Sequence, residues 1–174
     1  MRILVTGSEG FIGSKLCKAL EAKGNDVIRY DRKLSSYVLN HKDVDIVCHF
    51  AAQTDVQYSM THPHQDASDN ILLTTQVLEV YPNTRIIYPA SASSLDIKSP
   101  YGLSKKVAED YIKLLHKDYV IIRLPNIYGP GGFGVINKFQ EAETMTIFGD
   151  GTATRTIVHV EDVVKAFVMA LDME

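Results

Sequence analysis

The 174 residues are enough for one domain with a substantial core and too few for two full-sized domains. A formal net charge of −3 gives no reason to expect nucleic acid or an anionic membrane as a partner, and the two cysteines have no metal-ligand or redox spacing. Without an apolar stretch of membrane length, and with a strand starting directly after Met1, the sequence predicts an intracellular, cytoplasmic protein.

Strands alternate with helices along the chain. Apolar runs predict strands at 3–5, 27–30, 44–50, 85–88 and 119–123. Helical spacing predicts helices at 11–20, 63–81, 100–115 and from Glu161 or Asp162 to 171, one or two turns at 34–41, and a loop at 125–134. Such alternation indicates an α/β fold with a doubly wound parallel sheet, whose ligands bind at the carboxyl ends of the strands.

Four further residues are predicted to have structural roles. Asp162 is expected to cap the last helix. Cys48 lies in an apolar run and is expected to be a buried thiol. His62 and His64 have no further ligands at metal spacing, so we interpret them as an exposed helix start and predict no metal site.

A glycine-rich turn, T-G-S-E-G-F-I-G, follows the first strand and contains Gly7, Gly10 and Gly13. Backbone N–H groups at such a helix start can bind a pyrophosphate. Asp31 ends the next strand, 18 residues after Gly13, as in a dinucleotide site. A carboxylate there bonds a ribose 2′-hydroxyl and repels a 2′-phosphate, which favours NAD, although the adjacent Arg32 leaves NADP open.

Several ordered motifs together carry a family resemblance. They are the G-x-x-G-x-x-G spacing, H-F-A-A-Q at 49–53, D-N-I-L-L-T-T-Q, I-I-Y-P-A-S-A-S-S, S-P-Y-G-L-S-K-K-V-A-E, R-L-P-N-I-Y-G-P and F-G-D-G-T-A-T-R-T-I-V-H-V-E-D-V-V. Over nearly its whole length the chain thereby resembles the extended short-chain dehydrogenase/reductase family of NAD-dependent nucleotide-sugar epimerases and dehydratases. The resemblance implies a Rossmann-like fold with bound NAD.

The resemblance also implies residue roles. Tyr101 would be the general acid/base, and Lys105, one helical turn on, would lower its pKa and bond the nicotinamide ribose. Ser91 would hydrogen-bond the reacting hydroxyl or ketone, and Asn70 would support the catalytic site. The implied cofactor-binding residues are Gly7, Gly10, Phe11, Ile12, Gly13, Asp31, Arg32, Ala51, Ala52, Tyr101 and Lys105, and the implied substrate-binding residues are Ser91, Asn126 and Arg155.

The sequence departs from the family in three places. Only 14 residues separate Asp31 from Ile46, where the family usually has another strand and helix. Ser91 and Tyr101 are only 10 residues apart, and the chain stops at Glu174, where the family continues into a C-terminal substrate lobe. We therefore expect a single NAD-binding domain, 1–174, with a reduced sheet. Residues 125–174 would be the remnant of a substrate-binding region, most of which is missing.

The function expected is a nucleotide-sugar epimerase working by reversible hydride transfer. Dehydratases of this family carry a Thr-Asp-Glu run at the serine position, and the run Ser91-Ala92-Ser93 has no carboxylate, which argues against 4,6-dehydration. Two alternatives stay open: an NAD(P)H-dependent keto-sugar reductase and a catalytically idle NAD-binding module. A homodimer through the tyrosine-bearing helix and the helix before the fourth strand is expected from the resemblance.

Overall fold

A parallel sheet forms the centre of the molecule. The computed structural model describes residues 1–32, 41–141, 143–144 and 150–173. The central strands are β1 (Arg2–Thr6), β2 (Asp26–Tyr30), β3 (Ile46–His49), β4 (Arg85–Ser91) and β5 (Tyr119–Leu124). Their order is β2-β1-β3-β4-β5 with every pair parallel, which confirms the predicted α/β fold. Among the described residues β2 is the edge strand on its side, whereas the turns predicted at 34–41 fall almost wholly outside them.

Seven α-helices lie in the described ranges. They are α1 (Gly13–Ala22), α2 (Val56–Thr61), α3 (Pro63–Ala67), α4 (Leu73–Val80), α5 (Pro100–Leu115), α6 (Val135–Glu141) and α7 (Val160–Met169). The helix predicted over 63–81 is a run of α3, a π-helical turn (Ser68–Leu72) and α4. Throughout the described ranges, every helix is too short or too polar to span a membrane.

The core divides between the two faces of the sheet because neighbouring strand residues point in opposite directions. On one face Ile3 and Val5 pack with α1 and α7 through residues such as Leu16 and Phe167. On the other face Leu4 packs with residues of α4 and α5. This double covering explains why β1 and β3 are apolar without alternation, as expected for buried parallel strands.

Two predictions near the C-terminal end are wrong. The stretch expected to be loop contains β6 (Asn126–Tyr128), which pairs in parallel with β7 (Ile157–His159). The last helix is capped by His159, whose Nδ1 accepts from the Glu161 N–H at 3.3 Å. Asp162 already lies inside the first turn and instead accepts from Lys165 at 3.0 Å.

Candidate active site

One cleft of about 860 Å³ lies at the carboxyl ends of the central strands. Parallel strands of a doubly wound sheet place their ligands at this edge, where the strand order reverses between β1 and β3. Every residue expected to bind cofactor or substrate lines it: Gly7, Gly10, Phe11, Ile12, Gly13, Asp31, Arg32, Ala51, Ala52, Ser91, Tyr101, Lys105, Asn126 and Arg155. Asn70 is the one predicted site residue that does not line the cleft.

The glycine turn between β1 and α1 is packed so closely that side chains do not fit at two positions. Gly7 has a φ of +68°, and a Cβ there would lie 2.6 Å from the Ala51 nitrogen. A Cβ on Gly13 would lie 2.1 Å from the Gly7 carbonyl oxygen. The turn therefore holds the amino end of α1 against the strand ends, which is the arrangement that binds a pyrophosphate.

Charged groups lie at the β2 end of the cleft. Asp31 follows β2, and its Oδ2 accepts from the Glu9 N–H at 3.2 Å. Arg32 reaches across to Asp69 in the π-helical turn, where its NH1 is 3.3 Å from both carboxylate oxygens. Asp31 lines the cleft, and a carboxylate after the second strand can accept from a ribose diol, so the residues present fit the adenosine end of NAD.

The first turn of α5 positions Tyr101 over the cleft. Ser99 caps the helix by accepting from the Gly102 N–H at 3.1 Å, and Pro100 occupies a first-turn position that needs no N–H donor. The Tyr101 N–H donates to Ser59 of α2 at 3.2 Å. The Tyr101 side chain is consequently only 9% exposed while it lines the cleft.

The pKa of Tyr101 differs from the sequence-based expectation, and that of its neighbour Lys105 is shifted as well. Burial raises the pKa of the Tyr101 phenol, and hydrogen bonding with Ser91 offsets only part of that shift. Burial also lowers the pKa of Lys105 to about 7, while Glu109 and Asp66 act to raise it. The prediction that the Tyr101 pKa is lowered is therefore wrong for the protein alone: the pKa is raised, because burial disfavours the phenolate. The Lys105 Nζ lies 4.2 Å from the centre of the Tyr88 ring.

Asn70 lies behind the cleft in the π-helical turn and is almost fully buried. Its Oδ1 accepts from the Gln53 N–H at 2.9 Å, and its Nδ2 donates to Asp66 at 3.0 Å and to Ser104 at 2.9 Å. It thereby joins the loop after β3, α3 and α5. Local π-helical turns often occur at functional sites, and this one aims the Asn70 amide at α5.

The β6-β7 region brings both predicted substrate-binding residues to the wall of the cleft. Asn126 begins β6, and its Nδ2 lies 3.4 Å from the Thr156 carbonyl oxygen. Arg155 is exposed, and its guanidinium donates to the neighbouring Thr154 carbonyl at 2.8 Å. Both residues line the cleft, where a guanidinium can bind phosphate groups.

The sequence reading missed the buried groups that support the site. Glu109 is fully buried on α5 and contacts Ser94 and Arg123. Its spacing of four residues after Lys105 on a predicted helix was a signal that could have found it. Asp66 and Gln53 carried no comparable signal because they meet only through the tertiary fold, at 2.8 Å.

Residues 3–174 match the model of the NAD dependent epimerase/dehydratase family. A UDP-glucose 4-epimerase of Mycolicibacterium smegmatis is 33% identical, with 98% of this chain and 73% of the relative covered. A UDP-2-acetamido-2,6-beta-L-arabino-hexul-4-ose reductase of Pseudomonas aeruginosa is 30% identical, with 99% of this chain and 50% of the relative covered.

A similar solved structure is that of MoeE5 in complex with UDP-glucuronic acid and NAD. Its TM-score is 0.89 at 26% identity, over 100% of this chain and 73% of that one. The alignment with the mycobacterial epimerase runs over 229 residues, more than the 174 of this chain. The relative therefore carries internal segments without a counterpart in this chain.

Proposed function

We propose that this chain, which belongs to the NAD-dependent epimerase/dehydratase family, is a nucleotide-sugar epimerase with Tyr101 as its general acid/base. The observation that carries the proposal is the meeting of three groups of residues in one cleft. These are the glycine turn with Asp31, the Ser91–Tyr101–Lys105 set, and the polar wall with Asn126 and Arg155. An enzyme needs all three, whereas a module that only binds a dinucleotide needs the first alone.

The chain's own residues would hold NAD at the carboxyl ends of the strands. The turn from Gly7 to Gly13 would meet the pyrophosphate, Asp31 would accept from the adenosine ribose, and Lys105 would donate to the nicotinamide ribose. When bound, NAD supplies a reversible hydride acceptor for a carbon of the sugar ring.

Proton movement is the part that the side chains perform. The Tyr101 phenolate oxygen would take the proton of the sugar hydroxyl as that carbon is oxidised, and would return it when the carbon is reduced on its other face. Ser91 would donate to the same sugar oxygen. Burial raises the pKa of Tyr101 and so opposes formation of the phenolate, whereas the Ser91 hydrogen bond favours it. A positive charge on Lys105 nearby would favour the phenolate as well.

The side chains of Arg155 and Asn126 indicate the class of substrate. Arg155 and Asn126 could bind the diphosphate of a nucleotide sugar, because a guanidinium donates to two phosphate oxygens at once. Relatives named as acting on or binding UDP-sugars support a UDP-sugar substrate. The segment after Ser91, Ala92–Ser94, contains no carboxylate, which favours epimerisation over 4,6-dehydration.

A keto-sugar reductase is the second candidate. It is supported by the 30% identity to the Pseudomonas reductase and requires the same Ser91, Tyr101 and Lys105. The two reactions differ in stoichiometry, because an epimerase regenerates its cofactor each cycle and a reductase consumes one NAD(P)H for each sugar.

The solvent-exposed sides of α4 and α5 carry apolar side chains that a second copy of the chain could cover. The helices α4 and α5, which contact each other, expose several large apolar side chains: Val80, Leu103, Tyr111, Leu114 and Leu115. We propose that a second copy covers this surface, since exposed apolar side chains gathered on neighbouring helices mark interaction sites more often than single ones do. Light scattering of wild type and of Leu114→Glu tests this, with a monomeric mass for wild type as the contradicting result.

Turnover of a panel of UDP-, dTDP- and GDP-sugars tests the function. Each sugar is incubated with sub-stoichiometric NAD and, separately, with stoichiometric NADH or NADPH. Sugar interconversion beyond the amount of NAD added is the expected result. Loss of one reduced cofactor for each product would identify the reductase. NAD binding without any turnover would overturn both enzyme proposals.

A further inference from the structure

A short segment connects the end of β4 to α5 and carries Ser91 at its start. Ser91 is the last residue of β4, and the 3-10 turn Ala92–Ser94 follows directly. The Ser93 N–H donates to the Ser91 Oγ at 3.2 Å. The direction of the Ser91 hydroxyl therefore depends on where this turn lies.

Ser94 ties the turn to α5. Its buried Oγ lies 2.7 Å from the Ser91 carbonyl oxygen and 2.7 Å from the Glu109 Oε1. The hydroxyl has one proton, which the two acceptors share. One side chain therefore bridges the backbone of Ser91 to the helix that carries Tyr101.

Glu109 is a fixed anchor for this bridge. Its side chain is fully buried, and Arg123 of β5 donates to both carboxylate oxygens, at 3.2 and 2.6 Å. Lys113 adds a longer contact of 3.4 Å from the solvent side. Bidentate pairing fixes the orientation of the carboxylate, and the hydrogen bonds that it accepts keep it ionised.

A second contact brings the same two elements together. A Cβ added to Gly102 would lie 2.6 Å from the Ser93 carbonyl oxygen, so the turn is pressed against the first turn of α5. Gly102 directly follows Tyr101. The turn is thus held to α5 at two points: by the close backbone approach at Gly102, and by the hydrogen bond from Ser94 to Glu109, which lies two helical turns after Gly102.

We propose that Ser94 and Glu109 are a positioning pair that holds Ser91 within reach of Tyr101 across a connection of only 10 residues. Neither residue lines the cleft. Ser94 acts through the backbone and hydroxyl of Ser91, whereas Glu109 also acts on Lys105 by raising its pKa, so Ser94 is the residue that isolates the positioning role. The proposal rests on the proposed function, because positioning matters for turnover only if Ser91 and Tyr101 act on a substrate. Misplacing a reacting group by about 1 Å can cost about 100-fold in rate.

Ser94→Ala cuts the bridge and leaves the Glu109–Arg123 pair in place. We expect kcat to fall at least about tenfold while KM, NAD affinity and Tm stay close to wild type. Amide exchange at Ser93 should accelerate, because its N–H loses a fixed acceptor. Lys113→Met is the matched control: it removes a contact of the same carboxylate and should change neither kcat nor exchange.

A double variant separates positioning from simple stabilisation. If Ser94 acts through Ser91, adding Ser94→Ala to a Ser91→Ala background should lower kcat no further. Fully multiplicative losses, or wild-type kcat and Ser93 exchange in Ser94→Ala, would overturn the proposal. If wild type turns over no sugar, the proposed function fails, and Ser93 exchange in Ser94→Ala still decides whether the bridge holds the turn.

Discussion

Replacement of Gly13 by alanine sets two physical effects against each other. Within a helix alanine is more favourable than glycine by about 1 kcal/mol, so propensity alone predicts a more stable protein. The added Cβ would, however, lie 2.1 Å from the Gly7 carbonyl oxygen and 2.9 Å from its carbon, both backbone atoms. Overpacking of this kind costs about 1–3 kcal/mol or more. Because both contacts are to backbone atoms, the cost lies at the upper end, about 2–3 kcal/mol, and we expect a net loss of about 1–2 kcal/mol.

The assay is thermal and urea unfolding of Gly13→Ala, together with NAD titration. For a chain of this size the loss corresponds to a fall in Tm of roughly 2–8 °C. NAD affinity should fall as well, because α1 must move away from the turn. Gly10→Ala is the control for the unfolding measurements only: its Cβ would be 3.1 Å from the Gly7 oxygen, so a much smaller shift is needed than at Gly13. A Gly13→Ala protein as stable as wild type would refute the reasoning.

Three further predictions concern titratable groups. Burial lowers the pKa of Lys105 from 10.5 to about 7, so the unfolded chain binds more protons between those values and the free energy of unfolding rises with pH there. Lys105→Met should flatten that rise in urea unfolding measured at several pH values, and an unchanged slope would contradict the shift. Asp31→Asn should raise the NADP-to-NAD affinity ratio at least about tenfold in fluorescence titrations, whereas an unchanged ratio would show that the carboxylate does not select against the 2′-phosphate. Burial raises the pKa of Cys17 to about 11 and of Cys48 to about 12, so iodoacetamide should label both thiols only after unfolding, as read by mass spectrometry; rapid labelling of the folded protein would argue against this burial.

The sheet and the cleft were predictable because their signals are local. Apolar runs such as Ile3 to Val5 and the glycine turn after them are read within ten residues, and a parallel sheet then places strand ends at one edge. Cys48 was expected to be buried and is. The β6-β7 pair could not be read this way, since it joins segments some thirty residues apart through only three residue pairs.

The sequence predicted which residues line the site better than it predicted their pKa values. The i, i+4 spacing places Lys105 on the same helix face as Tyr101, but it says nothing of how deeply either side chain is buried. Desolvation depends on every element packed around the pair, and it reverses the expected shift of the Tyr101 pKa. The sequence did not predict His159 as the helix cap, because aspartate is a commoner capping residue than histidine. The helix starts directly after β7, so its first residue depends on where that strand ends.

The measurement that tests the central claim most directly is the rate of UDP-sugar interconversion with catalytic NAD in wild type, Tyr101→Phe and Tyr111→Phe. Tyr111 lies on the same helix, half-exposed and outside the cleft, so its loss controls for removing a phenol from α5. We predict that Tyr101→Phe lowers kcat by about 10²–10⁴-fold with NAD affinity retained, and that Tyr111→Phe leaves it unchanged. Equal turnover in Tyr101→Phe and wild type would contradict the account.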